Sequence, residues 1–145
     1  DITDVSNLQA HVGGELAARA AATITDEQLQ DLSAIHDELT EAYAADDGDR
    51  AVRLNHEFHR AINVAADSPK LAQLMSQITR YAPESVFPTI AGWPARSVAD
   101  HARILAALRA HDAEAARAAM SDHLAAGATP LIEHLVNHGV AQKAT

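Results

Sequence analysis

The stretch that decides the fold is Leu54-Asn55-His56-Glu57-Phe58-His59-Arg60-Ala61-Ile62. Stepped round a helix at about 100° per residue, Leu54, Phe58, Ala61 and Ile62 fall on one broad arc together with Val52, Ala65 and Ala66. Arg53, Glu57 and Arg60 lie opposite, and His56 and Asn63 sit near the boundary. This is the period of an amphipathic helix. Two polar residues, Asn55 and His59, fall inside the apolar arc one turn apart. An unpaired buried polar group costs roughly 1–3 kcal/mol, so this pair requires partners on other helices.

Outward from this segment the apolar residues recur at three and four, and a series of helices is expected. The first runs from about Val5 to Ala22, weakened by Gly13 and Gly14. Thr25-Asp-Glu-Gln28 has the pattern of a capping box and opens a second helix that ends near Asp46-Asp47-Gly48. The run Asp46-Asp47-Gly48-Asp49 reads as turn and cap; it lacks the spacing of a calcium loop. The third helix spans about Arg50 to Ala66. Ser68-Pro69, an N-cap followed by proline, starts a fourth. Pro83, Pro88, Gly92 and Pro94 mark a broken connection with room for one short helix. A fifth helix covers about Ala95 to Ala110. His111-Asp112 starts a sixth, which runs through Leu124, with a bend expected at Pro130 and an end near Gly139.

Two of these helices repeat the anomaly of the third. Val98, Ile104, Leu105 and Leu108 define the apolar stripe of the fifth, and His101 sits near its middle; Asp100 and Arg103 lie outside it. On the sixth, Ala116, Ala119, Met120 and Leu124 form the stripe and His123 falls within it. Three helices are therefore each expected to turn an imidazole inward. A metal ion gives the three a common explanation, because neutral imidazole is a good ligand for Zn, Ni, Cu or Fe and asparagine adds a carbonyl oxygen.

The composition agrees with an all-α fold. The 145 residues suit one domain, residues 1–145, and alanine supplies much of the 48% apolar content. The five aromatic residues are Tyr43, Phe58, Tyr81, Phe87 and Trp93. The chain has no cysteine, which excludes disulfides and thiolate ligands and leads to the expectation of a cytoplasmic setting. No apolar run or signal peptide points to a membrane. The net charge of −9 argues against nucleic-acid binding by this segment itself. Because the first residue is Asp1 and not methionine, further chain is expected upstream.

The segment 54–62 also closely resembles the signature Asn-x-x-Phe-His-Arg-Ala-Ile of a known family. Ala65-Ala-Asp-Ser-Pro-Lys-Leu71 looks like the continuation of that signature. His101-Ala-Arg-Ile-Leu-Ala-Ala-Leu108, then Asp112, Ala115-Ala116, Met120 and His123-Leu124 resemble the last two core helices. The resemblance is to the FCD ligand-binding domain, the C-terminal half of the FadR subfamily of GntR-type transcription regulators, and runs from about Val5 to Leu135. It implies an antiparallel bundle of six or seven helices around a central metal and ligand pocket. It further implies a divalent metal, Zn, Ni or similar, held by Asn55, His59, His101 and His123, and a small organic acid as effector. A homodimer would contact DNA only through a winged-helix domain upstream of Asp1.

The sequence departs from the family in two places. Asn55 stands where aspartate is commoner, so the site is expected to bind metal more weakly and to leave it more electrophilic. Gln9 and Gly13 stand where the first helix of the family often carries Arg and Glu, which leaves Gln9 as a hydrogen-bonding candidate for the effector. Arg80 is the second effector candidate, although it points away from the arc of Leu71, Leu74, Met75, Ile78 and Tyr81. Trp93 either covers the pocket mouth or plugs the core. His134 and His138 form a second i, i+4 pair, expected at the surface, and His56 is expected to be exposed beside the metal helix. His11, His36 and His111 show no partner. Two other readings compete: a metal-dependent enzyme, against which no Asp or Glu accompanies the ligand positions on the buried arcs, and a metal-free dimerisation domain.

Overall fold

The computed structural model describes residues 1–82 and 84–139. The expected punctuation at Pro83 lies outside them. Among the described residues there are seven α-helices and one 3-10 helix, with no strand. The α-helices are α1 (Ile2–Thr23), α2 (Asp26–Ala44), α3 (Gly48–Ala65), α4 (Pro69–Thr79), α5 (Trp93–Arg109), α6 (Ala113–Ala126) and α7 (Ala128–Asn137). The 3-10 helix, Glu84–Thr89, occupies the proline-rich connection. Among the described residues no helix is long and apolar enough to cross a membrane.

Local chemistry sets most of these boundaries. Thr25 and Gln28 close a complete capping box at the start of α2. Asp47 accepts from the Arg50 N–H at 3.2 Å, and Asp112 accepts from the Ala115 N–H at 3.1 Å. Ser68 does not cap α4 as expected. Its hydroxyl instead accepts from Arg19 Nη1 at 2.8 Å, tying the α3–α4 corner to α1. At the bend expected at Pro130 the helix is interrupted at Gly127, which keeps helical backbone angles, and α7 restarts with Pro130 in its first turn, where proline is tolerated.

The bundle is antiparallel and organised on the α1–α6 pair, its most extensive contact. Ser121 Oγ donates to the Ala10 carbonyl at 2.7 Å, Arg117 pairs with Glu15, and His111 Nδ1 donates to the Ala21 carbonyl at 2.8 Å. His111 thus has the partner that the sequence did not reveal. α1 runs unbroken through Gly13 and Gly14. Their missing side chains let α6 approach: a Cβ on Gly13 would strike Leu124, and one on Gly14 would strike Ser121 and lie 3.2 Å from the Arg117 carbonyl oxygen. The main core, with Leu16, Leu32, Phe58, Ile62, Ile104, Leu108 and Met120 fully enclosed, fills the space between α1, α2, α3, α5 and α6. A smaller cluster of Leu39, Ala42, Ala51 and Leu54 joins α2 to α3.

Gly14→Val is therefore expected to destabilise the chain by about 1–3 kcal/mol, the usual cost of overpacking, despite the better helix propensity of valine. Urea unfolding of the two proteins measures this, and a variant as stable as the parent would show that the α1–α6 spacing is not set here.

Candidate metal centre and its cavity

The three inward histidines meet. His59 on α3, His101 on α5 and His123 on α6 bring one ring nitrogen each to within 4.8 Å of one another. His101 is fully buried and His123 nearly so, while His59 keeps an edge open to a cavity. Their rings hold one another in place. His101 lies flat on Phe58, with centroids 4.0 Å apart and planes 5° from parallel. His59 stands edge-on to His101 at 5.1 Å and stacks parallel to His123 at 5.5 Å.

Asp100 sets the orientation of His123. His123 Nδ1 donates to Asp100 Oδ2 at 2.8 Å, which leaves Nε2 as the nitrogen turned to the cluster. Arg96 Nε donates to both oxygens of the same carboxylate, at 2.9 and 3.0 Å. Burial pushes the Asp100 carboxyl up, but the hydrogen bonds from His123 and Arg96 outweigh it and hold it below its ordinary value. The sequence reading placed Asp100 outside the apolar stripe of α5, yet only 4% of it is exposed. α5 packs against both α2 and α6, and its buried arc is wider than its aliphatic stripe. The flanking Arg96 and Arg103, four residues before and three after, were the available signal of an acid held in the fold.

The donor set fits a divalent ion. His123 Nε2 and His101 Nε2 face each other at 3.3 Å. Two nitrogens bound at 2.0–2.1 Å to one tetrahedral ion lie about 3.3–3.4 Å apart. Without an ion, either two lone pairs oppose each other or His101 donates through Nε2 and leaves Nδ1 a bare acceptor. Nδ1 of His101 is buried with no partner among the described residues, as are Nδ1 of His36 and Oγ of Ser97. His36 packs behind the site, its ring 6.1 Å from those of both Phe58 and His101. Burial, reinforced by His123 and His56, lowers the pKa of His59 to about 3. Burial, reinforced by His59, His123 and His36, pushes that of His101 well down. Both rings are therefore neutral at pH 7, the state in which imidazole ligates.

The cluster opens into a cavity of about 380 Å³ walled by α1, α3, α4, the 3-10 helix and α6. Asn55, half-buried one turn before His59, lines it, as do Asn63 and the exposed His56 and Arg60. Gln9 is buried in the wall and donates to Thr79 Oγ1 at 3.5 Å. Trp93 is half-buried, stacks on His123 at 5.7 Å and touches Phe87 at 4.9 Å, forming part of the wall beside the histidines. Arg80 is different: it follows the last residue of α4, is exposed, and is not among the lining residues, although Thr79 and Tyr81 are. The effector role expected for it has no support in the geometry. His134 and His138 stack on each other at 4.2 Å, away from the cavity wall.

The family model of the FCD domain matches residues 4–126. No curated protein matches the chain. Among solved structures the fold is similar to E. coli McbR/YncC, with a TM-score of 0.80 and 21% identity, covering 90% of this chain and 64% of that one. It is also similar to Streptococcus agalactiae GntR, with a TM-score of 0.72 and 24% identity, covering 85% and 56% respectively. At these identities the likeness is one of fold, and the chain spans less than two thirds of either protein.

The titrating groups of this site predict a pH response of the metal-free chain. His59 and His101, and to a lesser degree His36, hold folded pKa values below the ordinary 6.5, so the unfolded chain takes up their protons first. Glu84, raised from 4.5 to about 7, acts in the opposite sense over 4.5–7. The three imidazoles outweigh the one carboxyl, and stability is expected to fall between pH 6.5 and pH 5 with a slope of about one to two protons. Urea unfolding at steps across that range checks this; stability that stays level or rises on acidification would contradict the buried neutral imidazoles.

Proposed function

Since the chain belongs to the FCD domain family, we propose that it is the effector-sensing and dimerisation domain of a GntR-type transcription regulator of the FadR subfamily, working in the cytoplasm. In this reading His59, His101 and His123 hold a divalent ion of the Zn or Ni kind, with Asn55 as the fourth ligand. The observation that carries the reading is the convergence of three inward-turned imidazoles from three helices at a ligand-sized cavity. The ion supplies a Lewis-acidic position for the carboxylate oxygen of a small organic acid.

The protein's own residues do the rest. Asp100 keeps Nε2 of His123 turned to the cluster, and Phe58 fixes the plane of His101. Gln9 and Asn63 offer hydrogen bonds to the body of the effector, and Trp93 and Phe87 exclude water beside His123. Because the ligands sit on α3, α5 and α6, an effector with different affinity for two packings of these helices shifts the balance between them. A homodimer passes that shift to DNA-binding domains outside this chain. A catalytic role gains no base from Asp100, whose oxygens are engaged by Arg96 and His123 and which does not line the cavity.

Elemental analysis tests the site. Protein purified without chelators is expected to carry about one divalent ion per chain, lost from His101→Ala and His123→Ala variants that keep their helical circular dichroism. Absence of metal from the wild-type chain, and none taken up when Zn or Ni is offered, would remove the four-ligand site. Trp93 is the single tryptophan and sits 5.7 Å from His123. Added Ni or Cu is accordingly expected to quench most of its fluorescence in the wild type and little of it in His123→Ala.

A further inference from the structure

The cavity has a second chemical pole. Glu84, at the start of the 3-10 helix, is half-buried and lines the same cavity as His59 and His123. Its carboxyl has no ion pair or hydrogen bond among the described residues, and loss of water alone raises its pKa to about 7. The two other acidic residues that are not exposed among the described residues are both matched: Glu15 with Arg19 and Arg117, Asp100 with Arg96. Arg60, the one arginine of the cavity wall, is exposed and makes no ion pair with Glu84 among the described residues.

A carboxyl left without a partner in a wall that also presents Met75, Phe87, Trp93 and Leu124 is poorly placed for the fold and well placed for a ligand. A cation brought to it restores the compensation that burial removed. A second carboxylate brought to it meets like charge unless the two carboxyls hold one proton between them, whereas an ammonium pairs with the ionised form. The amides of Gln9 and Asn63 serve either kind of ligand and do not discriminate.

We propose that Glu84 receives an ammonium group of the effector whose carboxylate is held at the histidine cluster, so that the ligand is a small zwitterion of amino-acid type and not a dicarboxylate. This rests on the reading of the cluster as a metal-dependent carboxylate site, and Glu84 adds the choice among carboxylates.

The test uses the whole chain loaded with Zn or Ni and two matched ligand sets followed by calorimetry. The five-carbon set is pentanoate, glutarate, norvaline and 5-aminopentanoate; the six-carbon set is hexanoate, adipate, norleucine and 6-aminohexanoate. At least one amino acid is expected to bind roughly tenfold or more tighter than the dicarboxylate and the plain acid of its set. In Glu84→Gln, checked for retained metal, that advantage is expected to vanish. Dicarboxylates binding best, no preference in either set, or a preference that survives Glu84→Gln would each overturn the proposal while metal-dependent binding of the plain acids keeps the underlying site. Binding of none of the eight, or binding indifferent to removal of the metal by chelation, would overturn the carboxylate site itself and this proposal with it.

Discussion

The hydrogen bond from His123 Nδ1 to Asp100 is the contact on which the site's arrangement depends. An imidazole can present a lone pair from either nitrogen, and which one it presents is decided by the proton on the other. Here a carboxylate fixed from behind by Arg96 accepts the hydrogen bond of that proton and keeps it on Nδ1, and Nε2 is committed to the cluster. The commitment constrains the neighbours: at 3.3 Å, His101 Nε2 must either donate or share a cation. Asp100 and His101 are adjacent on α5, so one helix supplies both a ligand candidate and the group that orients a second on α6. The α5–α6 packing and the chemistry of the centre are in this sense the same set of contacts.

The first five helices, the capping of α2 and the inward direction of His59, His101 and His123 were legible because each is read from one helix and its own apolar stripe or cap. What escaped involves more than one helix. Asp100 was missed because α5 is covered on two sides, which a single stripe cannot show. Gly13 and Gly14 read as weak helix formers because propensity is a local quantity, whereas their use is the closeness of α6. His36 and His111 found surroundings on elements far away in sequence, behind His101 in one case and at the Ala21 carbonyl in the other. Glu84 drew no notice in a stretch read only as broken connection; its environment is made by the helices that this connection crosses. Pro130 drew attention to itself, while the interruption fell at Gly127; what proline forbids in mid-helix it permits in a first turn.

Stability and binding draw on different parts of the molecule. The enclosed aliphatic residues and the α1–α6 seam hold the bundle, assisted by Glu15, whose carboxyl is kept low by Arg117 and then Arg19. The cavity is walled on one side by these helices and on the other by α4 and the 3-10 helix, where α4 has a single buried residue, Met75, and the 3-10 helix has none. Histidines belong to the first side and Glu84 to the second.

Gly127 joins these two sides. A Cβ there would lie 3.3 Å from Phe87 and 3.4 Å from Trp93, so the aromatic pair rests directly on the backbone where α6 gives way to α7. Close-packed matter transmits displacement and does not absorb it. Trp93 lines the cavity, and a movement of its indole by more than a few tenths of an ångström is passed to that joint. α7 is anchored by one fully buried side chain, Leu131. The wall of the cavity and the start of α7 thus share one tight contact at a residue that has no side chain to give way.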